Sequence, residues 1–234
     1  MPIRKILGIL AGMGPRSTAP FLELVYDECQ SQYGATYDID YPEIVIYSWP
    51  TPFYVDREID DAKLYNSIKD GLVELEKNNV SVIAMPCNIA HKYFDRLKGI
   101  SKSNLLNIIE ITKEKLSEES KRITVFATKA TMELGIYQNG IQKKGREFVF
   151  RAEWQDKVTE LIRCIKRKDN SEVVQIQYKA LADEVSDAGI DTIIHGCTDL
   201  SMIKRDEDSK YKVIDSSKEL AKRLIEEYLE EKRR

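Results

Sequence analysis

The sequence predicts an α/β fold built from two similar halves, each a mainly parallel sheet flanked by helices. Two observations support this fold class. Apolar segments of strand length alternate along the chain with segments whose apolar residues recur at three- and four-residue spacing, which is typical of βαβ units. The motif around Cys87 also recurs around Cys197, 110 positions later. We expect the active site to lie in a cleft between the two halves.

The apolar segments predict eight strands and five long helices. The strands are expected at residues 5–11, 43–48, 81–85, 108–109, 122–127, 147–150, 192–195 and 212–214. The helices are expected at residues 18–32, 62–77, 156–166, 173–188 and 216–231. Strands separated by helices of this length favour parallel pairing within each sheet.

An internal repeat sets the expected boundaries of the two halves. Residues 79–88 align with residues 189–198, so that a strand, a small turn residue, a cysteine and a polar residue coincide. Residues 5–10 align in the same way with residues 122–127. We therefore predict a first half at residues 1–117 plus 209–234 and a second half at residues 118–208.

The composition favours a small-molecule partner. The chain of 234 residues is 42% hydrophobic and 32% charged, and its net charge of -3 argues against a nucleic-acid or membrane partner. The N-terminal apolar run enters a glycine-rich turn too early for the apolar region of a signal peptide, and no apolar stretch approaches the ~20 residues of a membrane span. We expect a cytoplasmic protein whose four scattered cysteines stay reduced.

The repeated cysteines are the candidate catalytic groups. Cys87 and Cys197 are each expected just after a strand, where backbone N–H dipoles at a helix start favour the thiolate. Two thiols on opposite sides of one carbon can remove a proton from one face and deliver a proton to the other, which is what racemisation requires. Backbone N–H groups and the side chains of Asn88 and Thr198 are placed to stabilise the carboxylate of the resulting carbanion.

The other two cysteines are predicted to pack in the core. Cys29 and Cys164 both lie inside helical patterns. With only two histidines and no cluster of ligand residues, we predict no metal and no cofactor. The spacing of the repeated cysteines leaves isomerisation and thiol-based hydrolysis open as alternatives.

Three motifs resemble the signatures of the aspartate/glutamate racemase family. They are Gly12-Met13-Gly14-Pro15, Met85-Pro86-Cys87-Asn88-Ile89-Ala90-His91 and Gly196-Cys197-Thr198-Asp199-Leu200, in the family's order and across essentially the whole chain. The resemblance implies a racemase that needs no pyridoxal phosphate, acts on aspartate or glutamate and forms a homodimer.

The resemblance also implies roles for individual residues. It makes Cys87 and Cys197 the catalytic pair, with Asn88 and Thr198 holding the α-carboxylate. Arg57 and Lys166 fall where aspartate racemases place cations near the side-chain carboxylate of the substrate. Further substrate contacts are implied for Met13, Gly14, Thr128 and the backbone N–H of Ile89.

Two departures from the family pattern bear on the substrate. The family usually has threonine at the position of Ile89, so a hydroxyl donor is missing and substrate identity or affinity is affected. Asp199 stands where glutamate racemases of the cell-wall type have histidine, which favours the aspartate-type branch. His91 and His195 are expected to have structural roles, with tuning of the Cys87 thiol as the alternative for His91.

Two other functions remain open on the same residues. One is isomerisation or decarboxylation of a dicarboxylate, which would use the cysteines differently. The other is non-catalytic binding of a small anion. The presence of Ile89 where the family usually has threonine motivates this alternative.

Overall fold

The chain divides into two compact units. The computed structural model describes residues 5–55, 57–142, 145–204 and 209–232, with only the backbone for residues 231 and 232. The first unit comprises Met1–Tyr54, Glu58–Ile108 and Ser217–Arg234, and the second comprises Val55–Arg57 and Ile109–Ser216. Apart from the short segment Val55–Arg57, the chain changes unit at 108/109 and 216/217, whereas the boundaries predicted from the sequence repeat were 117/118 and 208/209.

The first unit contains a four-stranded sheet in which every neighbouring pair is parallel. Its strands are β1 (Ile6–Ala11), β2 (Glu43–Ser48), β3 (Val82–Ala84) and β4 (Asn104–Leu105). The order across the sheet is β2-β1-β3-β4. Strand β1 is central and is buried almost along its whole length.

The second unit repeats this arrangement. Its strands are β5 (Arg122–Phe126), β6 (Glu147–Phe148), β7 (Thr192–His195) and β8 (Lys212–Asp215). Their order is β6-β5-β7-β8, again with parallel neighbours throughout. The predicted α/β class with two similar parallel sheets is therefore confirmed.

Helices connect the strands in both units. They are α1 (Thr18–Tyr33), α2 (Asp61–Glu76), α3 (Phe94–Lys98), α4 (Ile108–Glu114), α5 (Lys129–Glu133), α6 (Gln138–Gln142), α7 (Ala152–Arg167), α8 (Ser171–Asp187) and α9 (Ser216–Lys232). Short 3₁₀ helices occupy Pro15–Ser17, Asp38–Asp40, Ile89–Tyr93 and Thr198–Met202. No helix among the described residues is long and apolar enough to cross a membrane.

Two predicted strands need correction. Residues 108–109 were expected to form a strand, but Ile108 opens α4, and the strand beside β3 is the two-residue β4. Ile108, Ile109 and Ile111 are all buried, so the apolar pair belongs to the inner face of a helix. The strand predicted at 212–214 exists, but it pairs with β7 and so belongs to the second sheet.

Helix α7 is amphipathic and buries one face in the core of the second unit. Its buried side chains recur at helical spacing, as in Trp154, Val158, Leu161 and Ile165, and they join the core of the second unit. The opposite face of α7 carries charged side chains. Lys166 lies in the last turn, where a cation also interacts favourably with the helix dipole.

Candidate active-site residues

The first unit brings two of the predicted motifs to one edge of its sheet. Because β1 and β3 are parallel neighbours, the loop after β1 and the turn after β3 lie at the same carboxyl edge. Cys87 lies three residues beyond the end of β3 and is 7% exposed. Asn88 and Ile89 are also buried, and Ile89 begins the 3₁₀ helix that follows.

The loop after β1 is held tightly against β2. Gly12 has a φ of +90°, and a Cβ there would lie 2.6 Å from the backbone of Trp49, so only glycine fits. The Gly12 N–H donates to the Thr18 hydroxyl (3.3 Å), and the Ser17 hydroxyl donates to the Gly14 carbonyl (2.9 Å). Met13 and Gly14 remain partly exposed at the tip of this fixed loop.

His91 supports the turn that carries Cys87. Its Nδ1 lies 2.8 Å from the Cys87 carbonyl, and its Nε2 lies 3.2 Å from the Ile108 N–H and 3.2 Å from the Leu106 carbonyl. A neutral ring with its hydrogen on Nδ1 satisfies Cys87 and Ile108 together. Burial lowers the pKa of His91, which favours this neutral form. These ring contacts are with backbone groups, as expected for a structural role.

The second unit has the equivalent pair of loops. Thr128 follows β5, and Cys197 follows β7 after Gly196, so both lie at the carboxyl edge of parallel neighbours. Cys197 is 9% exposed and Thr198 is buried. The Thr128 hydroxyl caps α5 by accepting from the Thr131 N–H (3.3 Å). Thr128 therefore has a local structural task in addition to the substrate contact predicted for it.

Gly196 and Tyr137 fix the turn before Cys197. A Cβ on Gly196 would lie 3.0 Å from Val125 Cγ1 and 3.1 Å from Tyr137 Cε2, so a side chain there would require these neighbours to shift by a few tenths of an ångström. The Tyr137 ring is fully buried, and its hydroxyl hydrogen-bonds with the side chains of Thr112 and Ser216. Burial raises the pKa of Tyr137, so it stays neutral at physiological pH.

His195 joins strand β7 to helix α8. Its ring is fully buried, and its Nε2 lies 2.8 Å from the Tyr178 hydroxyl. The ring also stacks on Phe126 at a centroid distance of 6.4 Å. These contacts fit the structural role predicted for His195.

Asp199 is a candidate functional residue that sequence reasoning did not include in the site. It is 2% exposed, and its Oδ2 lies 3.7 Å from Cys197 Sγ and 2.8 Å from Lys166 Nζ. Lys166, predicted to bind the substrate carboxylate, thus has a carboxylate partner in its own unit. A signal was present in the sequence, since the repeat aligns Asp199 with Ile89 and Asp199 is the only acidic residue of the two cysteine motifs.

The two predicted cations differ in their surroundings. Arg57 is exposed and lies two positions after Val55, which packs against the core of the second unit. Lys166 is partly buried, and its side chain is 31% exposed. Among the residues that the structure describes, no group of three or more His, Cys, Asp or Glu side chains is arranged to hold a metal ion.

Short helices follow both cysteines. A five-residue 3₁₀ helix begins at Ile89 after Cys87, and another begins at Thr198 directly after Cys197. The predicted dipole effect on the thiols therefore comes from single turns, not from long α-helices.

Comparisons with known proteins agree with this arrangement. The model of the Asp/Glu/hydantoin racemase family matches residues 10–224. The broad specificity amino-acid racemase RacX of Bacillus subtilis (strain 168) is 42% identical over 224 residues, covering 96% of this chain and 98% of that protein.

Solved structures show the same fold. An aspartate racemase of Picrophilus torridus superposes with a TM-score of 0.81 at 28% identity, covering 95% of this chain and 94% of that one. An aspartate racemase homologue from Pyrococcus horikoshii OT3 gives a TM-score of 0.74 at 24% identity, with coverage of 96% and 98%. The resemblance noted in the sequence motifs is confirmed, and the chain belongs to the Asp/Glu/hydantoin racemase family.

Proposed function

We propose that this enzyme racemises an acidic amino acid, aspartate or glutamate, without a cofactor, by proton transfer between Cys87 and Cys197. One observation carries the proposal. The two cysteines follow equivalent strands, β3 and β7, in two sheets that have the same strand order. Membership in the racemase family supports the reaction class.

The proposed mechanism needs one thiolate and one thiol. The thiolate of one cysteine removes the α-proton of the substrate, which leaves a carbanion delocalised into the α-carboxylate. The thiol of the other cysteine then delivers its proton to the opposite face of the α-carbon. The product is the opposite enantiomer, and the two cysteines have exchanged protonation states, so a proton must return through solvent before the next turnover.

The carbanion needs donors that face the α-carboxylate. We assign this role to Asn88 and Thr198, which directly follow the two cysteines and are buried with them. The backbone N–H of Ile89 supplies a further donor where the family usually has a hydroxyl. Buried donors of this kind stabilise developing charge more strongly than water does. Met13, Gly14 and Thr128, in the loops after β1 and β5, complete the proposed contacts.

Arg57 and Lys166 support an acidic substrate, since each is a cation in the unit that holds Cys197. A broader substrate range is the second candidate, because Lys166 is already paired with Asp199. The 42% identical relative from Bacillus subtilis is named a broad specificity amino-acid racemase, which favours the same candidate.

Exchange of the α-proton in D2O tests the proposal directly. The enzyme incubated with L-aspartate, D-aspartate, L-glutamate or D-glutamate should introduce deuterium at the α-carbon and abolish optical activity. A panel of neutral and basic amino acids in the same assay separates the narrow from the broad substrate range. Absence of exchange with every amino acid in the panel would refute the proposed function.

Single cysteine substitutions test the two-base assignment. Cys87→Ser and Cys197→Ser should each lower kcat for racemisation by about 10²- to 10⁴-fold, the range typical of a lost acid or base. Cys164→Ser is the matched control, because Cys164 lies within α7 and not in the turns after β3 and β7. Its thiol contacts Glu160 and Arg167. The activity of Cys164→Ser should stay close to that of the unmodified enzyme.

The same variants separate the alternatives. If a dicarboxylate loses CO₂ and one single-cysteine variant keeps that activity, the enzyme is a decarboxylase. If dicarboxylates raise the melting temperature while no product or exchange is detected, the protein binds a small anion without turnover.

A further inference from the structure

The structure shows a buried carboxylate beside Cys197, the cysteine of the second motif. Asp199 Oδ2 lies 3.7 Å from Cys197 Sγ, and Asp199 is 2% exposed. Lys166 Nζ binds the same oxygen at 2.8 Å, whereas Oδ1 has no hydrogen-bond partner within the described part of the chain. The oxygen that carries this ion pair is therefore also the one that faces the thiol.

We propose that Asp199 is a positioning residue that holds Cys197 as the protonated thiol in the resting enzyme. This inference rests on the racemase function proposed above. An S–H group can donate a hydrogen bond to the carboxylate, but a thiolate at the same position would be repelled by it. Cys197 is then the resting acid, and Cys87 is the resting base.

The first unit lacks this feature at the matched position. The repeat that aligns Cys87 with Cys197 aligns Ile89 with Asp199, and Ile89 is apolar and buried. Besides Cys87 itself, the titratable residue of the first motif is His91, whose pKa is lowered by burial and whose Nδ1 contacts the Cys87 carbonyl. At the matched position the two motifs thus differ by one negative charge, because the second has Asp199 where the first has Ile89.

Other titratable groups also lie around Cys197. Asp215, opposite His195 on β8, is a second buried carboxylate, and its Oδ1 accepts a hydrogen bond from the Ser201 hydroxyl (2.8 Å). His195 on β7 is bound to the Tyr178 hydroxyl, and Tyr137, whose pKa is raised by burial, is neutral. Lys166 comes from α7 and is the cation paired with Asp199. Removal of Asp199 or of Lys166 should consequently move the Cys197 titration in opposite directions.

The direct test is the pH dependence of thiol alkylation. Each cysteine is followed by peptide mass spectrometry after brief treatment with iodoacetamide, a readout that needs no racemase activity. In Asp199→Asn the midpoint for Cys197 should fall by about one pH unit, because a carboxylate no longer opposes the thiolate. In Lys166→Met the midpoint should rise, because the carboxylate loses its compensating cation.

Glu160 provides a matched control for this experiment. Glu160 Oε1 lies 3.5 Å from the thiol of Cys164 on the same helix. Burial is the main cause that raises the pKa of Cys164, and the carboxylates of Asp169 and Glu160 add to it. Glu160→Gln should therefore lower the Cys164 midpoint and leave the Cys197 midpoint unchanged.

The Cys197 midpoint is expected to shift in opposite directions in Asp199→Asn and Lys166→Met. This difference distinguishes a positioning role of Asp199 from a general loosening of the fold. A loosened turn would expose Cys197 in both variants and lower both midpoints, which would overturn the inference. An unchanged Cys197 midpoint in Asp199→Asn would overturn it as well. If Asp199→Asn does not fold, Lys166→Met decides alone, since only the charge effect gives an upward shift.

Activity gives an independent second readout. The basic limb of the kcat/KM profile reports ionisation of the resting acid, so it should move to lower pH in Asp199→Asn. The ratio of kcat/KM for the two enantiomers is fixed by their equal free energies and does not change. Titration shifts without any racemisation by the unmodified enzyme would refute the proposed function but support the charge asymmetry.

Discussion

At the residue scale, the pairing of Lys166 with Asp199 gives the lysine a structural role in addition to the substrate contact predicted for it. A buried carboxylate that loses its cation is left without compensation, which is strongly unfavourable. We expect Lys166→Met to lower the free energy of unfolding by roughly 1–3 kcal/mol, less than for a fully buried pair because the lysine side chain is 31% exposed. The double variant Lys166→Met/Asp199→Asn should cost less than the sum of the two single variants.

The unmodified enzyme, the two single variants and the double variant form a double-mutant cycle. Urea unfolding of these four proteins measures the coupling free energy between Lys166 and Asp199. The exposed pair Lys179–Asp183 on α8 is the control, since both side chains are more than half exposed. Its cycle should give a coupling of at most about 0.5 kcal/mol. A coupling of that small size for Lys166 and Asp199 would contradict the assignment of a stabilising buried pair.

His91 predicts a pH dependence of stability with a defined sign. Burial lowers its pKa in the folded state, so the unfolded chain binds the proton more readily. The stabilisation by neutral His91 is complete above the unfolded pKa of about 6.5 and is lost as pH falls below it. We expect the unfolding free energy to fall more steeply between pH 7 and pH 5 in the unmodified enzyme than in His91→Gln, by up to about 1.4 kcal/mol per pH unit.

Urea unfolding at several pH values within this range measures the difference. Other titrating groups act equally in both proteins and cancel from the comparison. Parallel curves for the two proteins would show that His91 is not held neutral by its surroundings.

The residue scale also shows where sequence reasoning stops. The repeat identified Cys87 and Cys197 because two strand ends with the same following residues leave a visible pattern. The contact between Lys166 and Asp199 joins two elements separated by 33 positions, 166 to 199, and the first motif has Ile89 at the position of Asp199. Such a contact depends on how α7 packs beside the turn after β7. This packing leaves no periodic pattern of residues in a single sequence.

At the element scale, the loop after β1 depends on Gly12. A side chain there meets the Trp49 backbone at 2.6 Å in addition to requiring a positive φ. Gly12→Ala should lower the unfolding free energy by roughly 2–4 kcal/mol, because a strained φ and an overpacked contact add together. Gly34, at the end of α1, separates the two causes, because its φ is +73° but a Cβ there would meet no atom within 4 Å.

Gly34→Ala should cost only about 1–2 kcal/mol, the effect of the positive φ alone. Thermal and urea unfolding of both variants gives the comparison. Equal losses in the two variants would mean that the contact with Trp49 contributes nothing. Because the loop carries Met13 and Gly14, Gly12→Ala should also reduce racemase activity beyond its effect on stability.

Elements of ordinary length were predicted closely, whereas several short ones were missed. Helix α1 and strand β2 match their predicted ranges to within one residue, because each spans several periods of its pattern. Strand β4 has only two residues, and a run that short has no period. The neighbouring apolar pair, Ile108 and Ile109, is equally compatible with a strand and with a helix, and its assignment as a strand was wrong.

At the scale of the whole molecule, the repeat in the sequence corresponds to a repeat in topology. The orders β2-β1-β3-β4 and β6-β5-β7-β8 place each cysteine after the third strand of its unit, at the same position in each sheet. The chain nevertheless does not split into two continuous halves. It returns to the first unit after Ser216, and α9 supplies part of the first unit's structure.

Helix α9 is expected to be essential for the first unit. Leu220, Leu224 and Ile225 are fully buried, and the Tyr228 ring lies 6.4 Å from the Tyr33 ring of α1. Each such aliphatic side chain contributes about 1.5–3 kcal/mol of burial, so the three together approach the whole stability of a typical domain, about 5–15 kcal/mol. A chain that ends at residue 216 should therefore lose the folded first unit.

Hydrogen exchange followed by mass spectrometry tests this expectation by unit. In the truncated chain, amides of β1 and β3 should exchange fast, whereas amides of β5 and β7, which lie in the other sheet, should keep more protection. A circular permutant that places residues 217–232 before residue 5 is the control, because it keeps every residue of α9 that the structure describes from 217 onward. Recovery of protection in β1 would show that the loss came from the missing helix. Full protection of β1 in the truncated chain would mean that the first unit folds without α9. In that case the burial of the three aliphatic side chains of α9 is not needed to hold the turn that carries Cys87.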